Sequence, residues 1–536
     1  MSFRVKLRSI GGIVLLAGMV KAQGETPLQF SWARRAGGAG NQESHGVAVD
    51  AAGNVLVTGY FTGTCSIGNT NLTSSGLEDI FLAKYDSSGN FLWARQAGGT
   101  GDDYGLAVAT DPSGNVYVAG AFQNTATFTT TTLTSSRSND VFLAKYGPAG
   151  NLLWARRAGG NGNEEANGLA VDAAGNAYIT GAFDANATFG TISLANNSGS
   201  DEIFVAKCSS AGDFLWARKA GGSLDDVGSG IGVDGATNVY VTGYFAGTAT
   251  FDSTNLTSAG TNDYPDIFLA KYDAAGNMLW ARQAGGPGDD RGNGIAVDAT
   301  GNASITGQFI GSAAFGSMNL IANGSGSDIF VSRYGSDGNL LWARRAGGNN
   351  VIYGDAGFSV VTDTSSNLFV SGYFSGNASF GSSNLISAGF QNVFCCKYDP
   401  AGNVLWVRGA GGTLNDFGSG VAVNAQGNVV LGGFFLSSTI NFDGITLTNT
   451  GSRDIFVAQL GLPIVPIVPT LTISMANGQA VLSWPAAATG FILESASVLP
   501  PLSWASVTLG TNAVGTNQVV ILPASEPQKF FRLHKP

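Results

Sequence analysis

Histidine is almost missing from this chain: His45 and His534 are the only two in 536 residues. Two imidazoles so far apart leave little material for His-based triads, His-rich metal sites or imidazole proton relays. Charge is sparse too, at 12% of residues, and no long like-charged run occurs. No segment of useful length repeats its apolar residues at the helical spacing, which argues against a helical fold. The four cysteines, Cys65, Cys208, Cys395 and Cys396, do not recur at regular spacing, so they are not the framework of a small disulfide scaffold. No apolar run reaches the roughly 20 residues that a membrane-spanning helix needs.

The first 22 residues stand apart. Arg4, Lys6 and Arg8 precede the apolar stretch from Ile10 to Val20, and Val20-Lys21-Ala22 offers a small-x-small cleavage site. This pattern predicts a secretory signal over residues 1–22, hence an exported protein, extracellular, on the cell surface or periplasmic. Cleavage removes four basic residues and no acid. It leaves 23 basic against 37 acidic residues, a formal charge of −14. Such a surface repels nucleic acid and anionic membrane and suits cations, basic partners or neutral glycans.

Glycine is abundant, with 78 residues, and so is repetition. The stretch Phe91-Leu-Trp-Ala-Arg-Gln-Ala-Gly-Gly99 occurs seven times, its tryptophan falling at Trp32, Trp93, Trp154, Trp216, Trp280, Trp342 and Trp406. A fixed long period denotes one supersecondary unit copied in tandem. Each copy reads as four short strands rich in β-branched and aromatic residues. In the first copy these are Gly46–Asp50, Asn54–Phe61, Asp79–Tyr85 and Asn90–Gln96. The turns Asp-x-x-Gly-Asn join the first strand to the second and the third to the fourth. Asp111-Pro112-Ser113-Gly114 identifies them as type I turns. A long polar insert, with room for a small hairpin, joins the second strand to the third.

The last copy lacks its tryptophan strand, whereas the chain begins with a spare one, Phe30–Arg35. The expected fold is therefore all-β: a seven-bladed β-propeller over residues 28–461, closed by an N-terminal strand that completes the last blade. A proline-rich linker, 462–469, follows. Residues 470–536 read as about six further strands forming a small β-sandwich.

The pattern Gly-x-x-Val-Asp-x-x-Gly-Asn-x-Tyr-Val-Thr-Gly, followed by Asp-Ile-Phe-x-Ala-Lys-Tyr-Asp-x-x-Gly-Asn-x-Leu-Trp, resembles the bacterial beta-propeller repeat (SBBP) family. That resemblance implies export and a propeller but no single activity. The tail, through its Leu-Ser-Trp strand and terminal Phe-Phe-Arg-Leu, is similar to a fibronectin-III-like module.

Four features bear on function. The tryptophans are expected to pack between blades. An arginine two residues beyond each one, Arg95 in the first copy, is expected to pair with the acid that opens the third strand, Asp79. The Asp-x-x-Gly-Asn turns offer one carboxylate each, too few for a calcium loop. An acid shortly precedes each first strand: Glu43, Asp103, Glu165, Asp226, Asp290, Asp355 and Asp416. These predict a ring of loop carboxylates on the face that also carries the long inserts, a low-cost site for a cation or basic partner. No cofactor is expected, and calcium is the ion such a ring would favour.

The adjacent Cys395 and Cys396 raise the alternative of a quinone-dependent propeller enzyme, and paired carboxylates leave open a polysaccharide-cleaving one. The cysteines also fit two small buried thiols on opposite faces of a strand. The reading that emerges is a non-enzymatic, monomeric binding scaffold presenting one loop-rich face to a protein or glycan.

Overall fold

The computed structural model describes residues 28–260, 263–349 and 353–462, and, within the tail, 470–476, 479–486, 491–496, 504–507, 512–514, 516–523 and 530–534. The expected signal, 1–22, and nearly all of the linker, 462–469, lie outside these residues. The chain divides into two compact units, one ending at Leu462 and the other beginning at Pro463.

In the larger unit the strands pair antiparallel in successive groups of four, each group, here called a sheet, running outward from an innermost strand, and further pairings join several groups into larger sheets. The first comprises Gln42–Val49, Val55–Phe61, Asp79–Tyr85 and Phe91–Gly99, paired in that order. The last comprises Asp416–Val423, Val429–Phe435 and Asp454–Gly461, and its fourth strand is Gln29–Gly37 from the start of the chain. Each innermost strand lies beside the next, and Asp416–Val423 lies beside Gln42–Val49. The third strands are buried along their whole length, as in Asp79–Tyr85. This is why they read as Ile-Phe-Leu-Ala runs instead of alternating. The core lies between neighbouring sheets: one cluster joins Tyr178 and Trp216 of the third sheet to Val239, Phe245 and Phe268 of the fourth.

The Asp-x-x-Gly-Asn turns satisfy themselves. Asp50 Oδ1 accepts the amides of Ala52 (3.0 Å) and Asn54 (2.9 Å), and its Oδ2 accepts Asn54 Nδ2 (2.9 Å). The long inserts form hairpins that dock on the outer strand of the preceding sheet. The hairpin Thr64–Ile67 and Thr70–Thr73 pairs with the N-terminal strand at Ala36 and Gly37.

The tryptophan and its arginine reach the next sheet. Trp93 Nε1 donates to Pro148 O (3.2 Å) and Arg95 Nε to Gly150 O (2.7 Å), both in the turn between the third and fourth strands of the second sheet. The Arg95 guanidinium lies over the Trp93 ring at 5.2 Å. The N-terminal strand repeats this contact: Trp32 reaches Ser87 O (3.3 Å) and Arg34 reaches Gly89 O (2.8 Å). At Gly89 φ is +78°, and a Cβ there would lie 2.6 Å from the Trp32 ring, so glycine is required twice over. The last sheet has no such turn, because the chain enters there from its N-terminus. Arg408 Nε instead donates to Leu28 O (3.0 Å).

The expected pairing of Arg95 with Asp79 is therefore incorrect. Arg95 stands opposite Leu82 in the ladder, whereas Gln96 stands opposite Phe81 and shares a face with Asp79. Gln96 Nε2 donates to Asp79 Oδ2 (2.8 Å). The equivalent partners elsewhere include Lys219 with Glu202 (2.6 Å), Arg35 with Asp454 (2.6 Å), Arg157 with Asp140 and Arg345 with Asp328. Side chains alternate across a strand, so a one-residue error moves the partner to the opposite face.

In the smaller unit, Thr472–Ala476, Gln479–Pro485, Asn512–Val514 and Asn517–Pro523 form one sheet, and Ile492–Ala496, Ala505–Ser506 and Phe530–His534 another. Leu482, Trp484 and Val520 of the first sheet share a small core with Leu493 of the second.

Two outcomes follow. Deleting residues 23–36 will leave Asp454–Gly461 as a bare edge; size-exclusion chromatography should show self-association and calorimetry a lowered melting temperature. In double-mutant cycles, Gln96→Ala and Asp79→Ala will couple by about 1 kcal/mol, whereas Arg95→Ala and Asp79→Ala will add independently, as measured by urea unfolding.

Candidate functional site

The predicted carboxylate ring is not where the sequence reading put it. The innermost strands begin about four residues earlier than expected, at Gln42, Asp103, Glu164, Asp226 and Asp416. A bulge, between Ser44 and Gly46 in the first sheet, interrupts the ladder there. It breaks the alternation that marks a strand and hides its first half.

Asp103, Asp226 and Asp416 thus open strands, and Asp290 and Asp355 immediately precede theirs. Asp103, Asp226, Asp290, Asp355 and Asp416 are fully or almost fully buried. Asp226 accepts the amides of Gly222 (2.6 Å) and Ala246 (3.1 Å). Asp290 accepts those of Gly286 (2.7 Å) and Ile310 (3.0 Å). Asp416 accepts Gly412 N (2.7 Å), Ser437 N (3.2 Å) and Ser437 Oγ (2.9 Å). Burial raises Asp103, Asp226 and Asp290 to about 7, and Asp355 and Asp416 to about 6.

Glu43 and Glu165 do not occupy this position; the equivalent residues are Gln42 and Glu164. Gln42 Oε1 accepts Gly38 N (3.1 Å) and Glu164 Oε2 accepts Gly160 N (2.8 Å). A sequence signal for the true set exists: in six copies the residue stands four places after the second glycine of Ala-Gly-Gly, as Asp103 follows Gly99. Glu43 and Glu165 lie one residue further along. Glu43 pairs with Arg453, and Glu165 accepts Asn139 Nδ2 (3.2 Å).

All seven innermost strands line a central cavity of about 590 Å³. Here the repeat is not uniform. At its edge run Phe358, Tyr373, Phe417 and Phe434, with successive ring centroids 5.5, 5.2 and 5.0 Å apart. Arg453 lies over Phe434 at 5.8 Å and pairs with Glu43. Glu43 lies 3.6 Å from His45, which stacks on Tyr60 (5.5 Å), and Tyr60 meets Tyr104 edge-on (5.2 Å). The sixth, seventh, first and second sheets thus carry a continuous aromatic arc. The lining from the third to fifth sheets includes Asn167, Ser229 and Asn293 instead. Sequence reasoning missed the arc because its members are not uniform across the repeat: the position of Tyr60, Tyr373 and Phe434 holds Ala121, Ala182, Gln308 and Tyr244 in the other copies.

Where the arc is absent, a hollow of about 430 Å³ is lined by Glu165, Asp184, Asp201 and Asp225. Burial, followed by repulsion from Asp225, raises Asp201 to about 6. Among the described residues no group of three or more His, Cys, Asp or Glu side chains has a geometry that could hold a metal ion. Cys395 and Cys396 are free thiols in two different core clusters. Burial pushes both well above the usual thiol range.

Residues 92–121, 215–244 and 279–308 match the Beta-propeller repeat (SBBP) model. The chain is 26% identical over 546 residues to an uncharacterized WD repeat-containing protein of Acanthamoeba polyphaga mimivirus, an alignment covering 81% of this chain and 38% of the relative. It is 34% identical over 110 residues to the regulatory protein FlaEY of Caulobacter vibrioides, covering 20% of this chain and 12% of that protein. It thus spans well under half the length of either relative. Among solved structures, Sqt1 from Chaetomium thermophilum aligns with a TM-score of 0.39 at 10% identity, over 85% of this chain and 97% of Sqt1. Dipeptidyl peptidase 4 of Porphyromonas gingivalis gives a TM-score of 0.31 at 10% identity, over 87% and 59%.

The buried position of the acids makes them structural here. Asp416→Ala will strand the amides of Gly412 and Ser437 and destabilise the protein by about 1–3 kcal/mol, measurable by urea unfolding at pH values where the wild type is stable.

Proposed function

We propose that the protein is an exported, non-enzymatic binding scaffold: a seven-bladed propeller carrying a fibronectin-III-like sandwich. We further propose that it takes a glycan across the mouth of its central cavity. The N-terminal strand on Asp454–Gly461 and the cyclic order of the innermost strands support the seven-bladed, closed reading. The two small sheets sharing one core support the sandwich.

The observation that carries the binding reading is the aromatic arc. A repeat protein maintains near-identical copies where packing alone decides the residue. At the cavity edge the sixth, seventh, first and second sheets carry partly open rings, Phe358 being 37% exposed, whereas the ring of Tyr244 in the fourth sheet meets Arg291. Flat rings beside amide and hydroxyl groups suit the apolar faces and hydroxyls of sugar rings, since aromatic side chains supply large contact area at low entropic cost. The low charge and acidic balance suit a neutral ligand. The quinone-dependent alternative loses its sequence argument, because Cys395 and Cys396 face different cores.

The test is a polysaccharide binding array followed by calorimetry on the protein without residues 1–22. Phe358→Ala and Phe417→Ala should each weaken binding of a retained glycan about tenfold, equivalent to about 1.4 kcal/mol, with the melting temperature nearly unchanged for Phe358→Ala. Binding that survives both substitutions would move the site away from the arc.

A further inference from the structure

The buried acids of the innermost strands do not stand alone. Each faces the residue that opens the third strand of the preceding sheet. Five of these are acid pairs: Asp79–Asp103, Asp140–Glu164, Asp266–Asp290 and Asp328–Asp355, whose third-strand acid keeps a buried oxygen without a hydrogen bond, and Glu202–Asp226, whose third-strand acid is bound by Lys219 (2.6 Å). The first glycine of each Ala-Gly-Gly leaves room for them: a Cβ on Gly98 would lie 2.7 Å from Asp79 Oδ1 and 2.9 Å from Asp103 Oδ2. On Gly347 it would lie 2.6 Å from Asp328 Oδ1 and 2.7 Å from Asp355 Oδ2.

The hydrogen bonds are lopsided. Asp103 accepts two backbone amides, from Gly99 (2.7 Å) and Gln123 (3.2 Å). Asp355 accepts those of Gly348 and Ser375, both at 2.7 Å. On the third strands, Asp79 Oδ2 accepts Ser75 N (3.1 Å) and Gln96 Nε2 (2.8 Å), and Asp266 Oδ2 accepts Ala259 N (3.0 Å) and Gln283 Nε2 (2.8 Å). The remaining oxygen, Oδ1 of Asp79, Asp140, Asp266 and Asp328, is buried and receives no hydrogen bond, and the same holds for Oδ1 of Asp454, which faces Gln42. A carboxylate oxygen in that state is costly, and protonation lowers the cost; in the second pair Asp140 and Glu164 are within hydrogen-bonding reach of each other.

The chain itself supplies the isostere. In the sixth sheet the third strand carries Asn392. Its Oδ1 accepts Ala388 N (2.6 Å), and its Nδ2 lies 3.4 Å from Asp416 Oδ2, turned toward it as a donor. An amide has the shape and donor pattern of a protonated carboxyl group. Where Asn392 replaces the acid, the outer-strand position that elsewhere holds Arg157 or Arg345 is Gly409. Where Gln42 replaces the other acid, Asp454 keeps Arg35 at 2.6 Å.

We propose that each of the first four pairs carries a proton in mild acid and gives it up as the pH climbs through neutrality, so that the sheets hold one another tightest in mild acid and loosen as the pH rises. The groups facing the pairs differ. Gln96 and Asp102 face the first, Gln283 and Asp289 the third, Arg157 and Asp184 the second, and Arg345 the fourth. The first and third pairs, without a cation, depend on the proton most. Burial and the neighbouring acid raise Asp103 and Asp290 to about 7, Glu164 to about 8 and Asp355 to about 6. Folded values above the unfolded ones give stability that is complete below the ordinary carboxylate range. That stability is lost as the pH climbs through the folded values.

The experiment compares the wild type with Asp266→Asn, which installs the arrangement of Asn392. The melting temperature of the wild type should fall between about pH 5 and about pH 8, and that of Asp266→Asn should fall less and equal or exceed the wild type at the higher pH. Infrared spectra of the wild type in mild acid should show the carbonyl stretch of buried protonated carboxyl groups, weakened in the variant. Three results would overturn the proposal: no such band in the wild type, an identical pH dependence in the two proteins, or a rise in wild-type melting temperature on adding calcium that Asp266→Asn abolishes. Should the variant fail to fold, the wild-type spectrum decides alone.

Discussion

Repeated sheets pack stably only if each holds its neighbour, and here the contact is a tryptophan and an arginine reaching into a turn. Trp93 and Arg95 take carbonyl groups of the turn at Pro148–Gly150, and the other copies do the same around the molecule. The aromatic ring covers a glycine that cannot be replaced, and the guanidinium caps carbonyls that the strands leave free. The docked hairpins add a second bond across each seam. The closing seam differs because the last sheet has no turn to offer. Leu28 O stands in for it, as receptor for Arg408.

The same seam contains the paired acids. Ala-Gly-Gly serves two purposes there. Its first glycine yields space to two carboxyl groups, and its second donates an amide to one of them. A motif that looks like a flexible turn is the floor of a buried polar site. Such sites are expensive unless every atom is satisfied, which is why the distribution of protons in them bears on how firmly the sheets hold together.

Against this regular frame, the aromatic arc is a local exception. Packing between sheets explains Trp, Arg, Asp and Gly at their repeated positions, but not why Phe358, Tyr373, Phe417 and Phe434 gather along one side of the cavity. Residues freed from packing constraints are where a repeat protein has scope to acquire a ligand.

The sequence by itself determined the repeat, the four strands of each copy, the self-satisfied Asp-x-x-Gly-Asn turns and the displacement of one strand from the end of the chain to its start. All of these rest on local rules: period, turn chemistry and counting. Only the tertiary structure decided which partner each charge takes. Arg95 lies one residue from the position that faces Asp79, and alternation across a strand turns that single step into a change of neighbour. It also decided that Asp226, Asp290 and Asp416 are buried. Their strand starts before a bulge, and a bulge erases the periodicity by which a sequence announces a strand. The aromatic arc was illegible for another reason: its rings lie far apart along the chain, and only the circular order of the sheets brings the last copies beside the first.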